Sequence, residues 1–263
     1  MKPIRGAQLN RADPLARGLV GAWLLNEGTG GTVHDGSGNG NTGTLSGMVP
    51  ASDWVSGERG WALDFDGSDD CITLDNTILR GACAATNAVT VVVGTKLGSV
   101  ADDKRLLHSN DTDGFILLWY DVGNNCWGCR LAGSGSWQDD DNTSVATVGK
   151  QTQLALTGNA GAGAFYQDGR LITTGEYAGT LGDADTATTF WLGRAFFTYH
   201  YQGTISYAYI WDRALSAGEI AQVAGFPYRL WQPSSSPGWL YAAAAGGLSI
   251  PVAMRHYRNR RVA

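Results

Sequence analysis

The chain has 263 residues, a formal net charge of −5, 37 glycines and 16% charged side chains. That length accommodates one large β-sandwich with a sizeable core. Ten Trp and ten Tyr exclude the disordered reading that abundant glycine invites, because aromatic side chains bury large areas.

Residues 1–17 read as an extended arm of mixed charge. Gly18-Leu-Val-Gly-Ala-Trp-Leu-Leu25 is a first strand, and a Gly, Asn and Ser loop follows through Gly47. Trp61–Phe65 and Cys71–Leu74 flank Asp66-Gly67, which predicts a hairpin. The β-branched run from Ala88 to Lys96 suits a central strand. Arg105–Ser109 and Phe115–Tyr120 form the next pair. Gln153–Thr157 and Gly163–Tyr166 lead to a second hairpin at Gln167-Asp-Gly-Arg170. Thr189–Gly193 and Tyr201–Trp211 are the last strands. Ser216 and Glu219 then have the spacing of a capping box, so one short helix starts there.

More than ten short strands and a single late helix predict an all-β antiparallel double sheet. After Phe226 the character changes: Pro233-Ser-Ser-Ser-Pro237 is a linker and the remainder is small or basic. The chain therefore divides into an arm (1–17), a sandwich domain (18–226) and an extended tail (227–263). No Asp or Glu follows Glu219, whereas Arg229, Arg255, Arg258, Arg260 and Arg261 do, giving −10 before that point and +5 after it. A basic tail on an acidic body is a docking segment, with Arg255, Arg258, Arg260 and Arg261 as its contacts. A protein partner is preferred to nucleic acid, since a few terminal arginines make no nucleic-acid footprint.

Cys71, Cys83, Cys126 and Cys129 form no disulfide framework. The one CxxC pair lacks the second pair of a zinc ribbon, and small buried thiols are the reading. Met1-Lys-Pro-Ile-Arg-Gly lacks the apolar core of an export signal, and no stretch has the length of a membrane span. Folding in a reducing cytoplasm is expected.

Asp35, Ser37 and Asn39, followed by Gly40, match the opening of an oxygen-ligand calcium loop. The competing reading is a loop held by its own Asx turns, so calcium is a candidate and no cofactor is required. Trp119, Trp127 and Trp137 lie among polar and acidic loops and could stack on sugar rings, or face inward by strand alternation. Asp102-Asp103 and Asp139-Asp140-Asp141 read as solvated acidic loops. No nucleophile elbow, phosphate loop or paired metal-ligand histidines occur, so no catalytic constellation is present and the chain reads as a non-enzyme.

Several segments, in order, carry a resemblance: Gly18–Trp23, Asn26–Gly30, Asp35–Asn41, Ala62-Leu-Asp-Phe-Asp-Gly67, Tyr166–Gly169, Leu192–Arg194, Gly203-Thr-Ile205 and Arg213-Ala-Leu-Ser216. Together these segments resemble the bacterial and viral laminin G-like family of concanavalin A-like jelly rolls. The resemblance spans roughly residues 18–225 and implies two antiparallel sheets whose first and last strands are neighbours. Where the family continues Gly-Thr-Ile with an acidic pair, this chain has Ser206-Tyr207. The glycosidases of this fold carry Glu-x-Asp-x-x-Glu or Glu-x-Asp-x-Glu on one strand, and neither spacing occurs here.

A fold does not imply one function. The resemblance, the missing export signal and the acid-free tail together give the expectation of a bacteriophage virion-surface component. This would be a decoration or fibre-type protein, docked on other virion proteins by arm and tail, with no membrane role. Host-surface glycans are further candidate partners, and symmetric self-assembly is expected. The alternative is a soluble, extracellular carbohydrate-binding module or adhesin, with calcium as an aid.

Overall fold

The computed structural model describes residues 2–57, 60–101, 104–109, 116–132, 136–139, 144–181, 189–195 and 199–231. The first third holds β1 (Leu19–Trp23), β2 (Thr32–Val33), β3 (Gly43–Ser46), the single turn α1 (Pro50–Asp53), β4 (Trp54–Gly57), β5 (Gly60–Asp66), β6 (Cys71–Asp75) and α2 (Asn76–Thr86). The middle holds β7 (Ala88–Leu97), β8 (Lys104–Ser109), β9 (Ile116–Asp121), β10 (Cys126–Ala132) and β11 (Ser136–Asp139). The last part holds β12 (Gln151–Asn159), β13 (Ala162–Gln167), β14 (Arg170–Glu176), β15 (Thr189–Leu192), β16 (Arg194–Ala195), β17 (Tyr199–His200), β18 (Gln202–Trp211) and α3 (Ala217–Gly225).

Two antiparallel sheets form a sandwich. The first runs β14-β13-β12-β7-β18-β5-β4, with β1 also on β18; the second runs β11-β10-β9-β8-β15-β6-β3-β2. The first and last long strands pair, Leu19 opposite Trp211 and Trp23 opposite Ala208, as the sequence resemblance implies. Between the sheets lies one continuous core that includes Trp23, Phe65, Val91, Val93, Tyr120, Trp127, Phe190 and Ile205.

A second apolar cluster lies on the outer face of the first sheet. Val92, Ala155, Tyr166, Tyr207, Tyr209 and Trp211 face outward there, covered by Leu15, Ile220, Val223, Tyr228, Leu230 and Trp231. Burial on both faces is why β7 reads as a near-unbroken apolar run rather than an alternation. The roof is α3, whose Ser216–Glu219 capping box forms as the spacing predicts. The Arg213 guanidinium grips Glu219 at 2.8 and 3.1 Å.

The domain boundaries drawn from composition cut through packed structure. The Arg229 guanidinium contacts Asp13 at 2.9 and 3.0 Å, Asn10 N–H donates to the Leu230 carbonyl at 2.7 Å, and the Trp211 indole donates to the Leu15 carbonyl at 2.7 Å. The arm and residues 227–231 thus belong to the body. Arg255, Arg258, Arg260 and Arg261 lie outside the described residues.

Two further expectations are corrected. Trp61–Phe65 and Cys71–Leu74 are not a hairpin: β5 lies in the first sheet and β6 in the second, so Asp66–Asp70 turns the corner between layers. A helix, α2, also stands ahead of β7, where a single late helix was the expectation; its Ala-rich sequence supplies helix propensity. α2 seats Cys83 in the core, where burial, with a smaller push from Asp212, raises the thiol to about 12. All four cysteines are buried, and none is in a disulfide. Among the described residues, no helix is long and apolar enough to cross a membrane.

Candidate functional site

Roofing makes the two outer faces of the sandwich unequal. Over the second sheet, the described chain places only the small β16–β17 pair, joined through Arg194–His200 and Ala195–Tyr199. Residues directly opposite each other in antiparallel strands share a face. The register therefore lines up Thr44, Thr73, Trp191, His108, Leu117, Arg130 and Gln138 in one row across seven strands. A parallel row holds Arg105, Trp119 and Gly128.

Aromatic rings and guanidinium groups interleave on this face. The Arg105 guanidinium lies between two rings, 5.4 Å from Trp119 and 4.7 Å from Tyr199, and Arg194 sits 4.7 Å from Trp191. Such pairs hold the planar cation against the ring and fix its donor fork. Trp119 lies flat because position 128 is glycine; a Cβ there would meet the indole at 2.3 Å. Ala195 packs with Leu117 and Trp119, pinning the small strand pair onto the sheet. His200, opposite Arg194, is held below its ordinary range by burial and then by the Arg194 charge. Tyr199 is 39% exposed, which leaves part of a ring available to solvent.

Of the three tryptophans that were candidates for stacking on sugars or facing inward, the structure brings one to this face. Trp127 points into the core, edge-on to Tyr120 with centroids 6.2 Å apart. Trp137 also turns inward, over Gly163 and Gly175, where a Cβ would meet its ring at 2.4 and 2.0 Å. Trp119 faces outward but lies beneath Arg105. Trp191, Tyr199, Arg105 and Arg194 went unnoticed in the sequence. Alternation in Thr189-Phe-Trp-Leu192 was the available signal, since Phe190 and Leu192 face the core.

The loop that was a candidate for calcium is knotted by its own hydrogen bonds. Asp35 Oδ1 accepts from Ala22 N and Ser37 N at 2.9 and 2.8 Å, and Oδ2 from Ser37 Oγ and Asn41 N at 2.7 and 3.0 Å. The Asn39 amide donates to the carbonyls of Leu19 and Val20 and to Ser37 Oγ. Donors converge where a cation needs oxygen lone pairs, so Asp35, Ser37 and Asn39 do not fit a metal. They fasten the loop to β1. The described acidic group with compatible spacing is Asp66, Asp69 and Asp70, whose carboxylate oxygens lie within 4.8 Å of one another. Buried Asp70 accepts from Asp66 N at 2.9 Å, and burial, reinforced by neighbouring Asp66, raises it to about 6.

This two-sheet architecture is that of a concanavalin A-like jelly roll. Residues 66–221 match the laminin G-like model described as the concanavalin A-like lectin/glucanases superfamily, and the chain belongs to that family. Among solved structures, it is similar to domain 4 of AbnA, a GH43 extracellular arabinanase from Geobacillus stearothermophilus in complex with arabinotriose. The TM-score is 0.61 at 17% identity, covering 78% of this chain and 98% of that one. The receptor-binding domain of a botulinum neurotoxin C/D mosaic serotype gives 0.59 at 14% identity, covering 80% of this chain and 51% of that one. Trypanosoma rangeli sialidase gives 0.57 at 15%, covering 78% and 32%. The chain thus spans half of the toxin structure and a third of the sialidase, and these likenesses concern the fold. No curated protein matches the chain in sequence.

Proposed function

We propose that this chain is a non-catalytic carbohydrate-binding module whose sugar face is the outer face of the second sheet. One observation carries this reading: Trp119, Tyr199 and Trp191 interleave with Arg105 and Arg194 on the outer face of the second sheet, where Tyr199 is 39% exposed while Trp119 and Trp191, at 4% and 7%, lie beneath the arginines and the small β16–β17 pair. Sugar rings stack their C–H faces on aromatic planes, and guanidinium forks donate to hydroxyl or carboxylate oxygens. Asp75, opposite Thr189, and Asp121, opposite Cys126, share this face, and since a glycosidase places two carboxylates about its scissile bond, turnover is assayed together with binding. The relatives support a binding role by analogy, since one was solved with arabinotriose and another is a receptor-binding domain.

A glycan array followed by calorimetry tests the proposal. Binding that Trp191→Ala or Arg105→Ala weakens by about tenfold or more, with folding retained, supports it. Unchanged affinity in both variants, or turnover of the bound sugar, overturns it.

The acid-free tail with Arg255, Arg258, Arg260 and Arg261 favours a companion role as an anchor, for which a phage particle is our proposed carrier. Removal of residues 232–263 is expected to leave sugar binding intact while abolishing recovery of the chain with purified particles. Undiminished recovery by mass spectrometry would remove the anchoring role.

A further inference from the structure

The roof over the first sheet leaves a cavity. Between α3, the Asp168–Gly169 turn and strands β12 and β18 lies a space of about 520 Å³, within the range of small-ligand pockets. It exists because α3 presents Ala221 and Ala224 rather than large side chains to this side. Turn and helix already touch: a Cβ on Gly169 would meet the Ala224 methyl at 2.9 Å. The helix therefore cannot sink further to close the gap.

Polar groups line this cavity. Gln153 is 6% exposed; its Nε2 donates to the Tyr207 hydroxyl at 3.0 Å, and its backbone N–H donates to Asp168 Oδ1 at 2.8 Å. Its amide oxygen accepts no hydrogen bond from any described residue. Turning the amide over about its soft terminal torsion lets the oxygen accept from the Tyr207 hydroxyl and leaves the Nε2 donors unpaired instead, so in either orientation one polar end of a buried amide goes unfilled, at a cost of roughly 1–3 kcal/mol. Ser206 lies at the β-bulge beside Tyr207, and Arg170 stands exposed at the mouth. Asp168 is engaged by Gln153 N and by Lys150 Nζ at 3.1 Å, so it is a strut of the wall rather than a base.

The geometry points to a second binding site here, taking one neutral monosaccharide ring at the end of a glycan. Hydroxyl groups both donate and accept, so they fit the unpaired end of the Gln153 amide in either orientation and supply acceptors for Arg170 and Ser206. The apolar walls are methyl and glycine surfaces, too small for a lipid chain, and the one arginine stands at the mouth rather than buried at the base. This site lies across the sandwich from the proposed sugar face and stands independently of it.

Titration of the 15N-labelled full chain with methyl α-glucoside, methyl α-galactoside and methyl α-arabinofuranoside tests it. The expected result is a shift of the Gln153 side-chain amide pair, with backbone shifts at Arg170, Ser206 and Ala221, caused by at least one probe. Gln153→Met is expected to weaken that probe about tenfold or more while changing the thermal midpoint little, because the apolar isostere removes the unfilled polar group together with one partner of the Tyr207 hydroxyl. Ala221→Phe, which fills the cavity from the helix side, is expected to give the same loss. Trp191→Ala is expected to leave these shifts unchanged. Shifts confined to Trp191 and Arg194 would overturn this site and leave the first standing; an absence of shifts around Gln153, or full affinity in both cavity variants, also overturns it.

Discussion

The Nζ of Lys2 lies 2.7 Å from the carbonyl oxygen of Ser206, 204 residues further along the chain. The same ammonium donates to the carbonyls of Leu25, at 2.9 Å, and Trp61. One side chain thus joins the arm to two strands of the first sheet, β5 and β18, and to the segment that follows β1, beneath the ring of Tyr228. Burial lowers its pKa to about 7, against a smaller opposing pull from Glu27. Between about pH 7 and its ordinary 10.5, the unfolded chain binds this proton and the folded chain does not, so stability rises with pH across that window. Lys2→Met is expected to cost about 2–4 kcal/mol near neutral pH, since it leaves carbonyls without their donor. The same variant should flatten the rise above pH 7, as read from urea unfolding at a series of pH values.

At the other end of the roof a charge is favoured rather than disfavoured, and stability again rises with pH, in a lower window. Glu219 is held at about 2 by the hydrogen bonds from Arg213, with Ser216 adding to them and burial opposing. Its contribution is complete above its ordinary 4.5 and is lost as pH falls toward 2. Glu219→Gln is expected to lose about 1–2 kcal/mol at pH 7 and almost nothing near pH 2. Thermal unfolding at both pH values measures the difference.

Asp70 is a charge that the fold disfavours. Because its folded pKa of about 6 exceeds the ordinary 3.8, stability falls as pH rises between those values. Asp70→Asn keeps an oxygen to accept from Asp66 N–H and carries no charge, so it is expected to raise the unfolding midpoint above pH 6 and change it little below pH 4. Parallel thermal scans would reveal that crossing, and identical shifts at both extremes would refute the assignment.

Gly128 tests the outer face without touching its polar groups. Gly128→Ala forces a methyl into the Trp119 indole, which is expected to cost about 1–3 kcal/mol. The ring would tilt toward Arg105, changing the near-ultraviolet circular dichroism. On the reading proposed above, sugar affinity falls with it.

Much of the sandwich was legible because strands leave a period-2 trace and turns leave glycine. Asp168-Gly169 is a hairpin with both residues in the left-handed region, φ +50° and +80°, as an Asp-Gly turn demands. Asp66-Gly67 carries the same dipeptide yet joins two sheets; local turn chemistry does not say which layer the next strand enters. The site was less legible for a related reason. Trp127 and Trp119 stand opposite neighbours on adjacent strands, yet only the register of β9 with β8 and β10 decides that one points to the core and the other to Arg105. Arg105 and Arg194 announce nothing singly; their meaning lies in rings placed beside them by strands far apart in sequence. The Asp35 loop matched a ligand pattern because Asx turns and cation loops draw on the same residues, and only the direction of each hydrogen bond separates them.

The interlock of Asp13 with Arg229 has a further result. Lys2 and Trp231, the two ends of the described chain, both belong to the roof of the first sheet. The described chain therefore enters and leaves the sandwich on one side, and the aromatic and arginine face lies on the other, as the palm of a hand lies opposite the back.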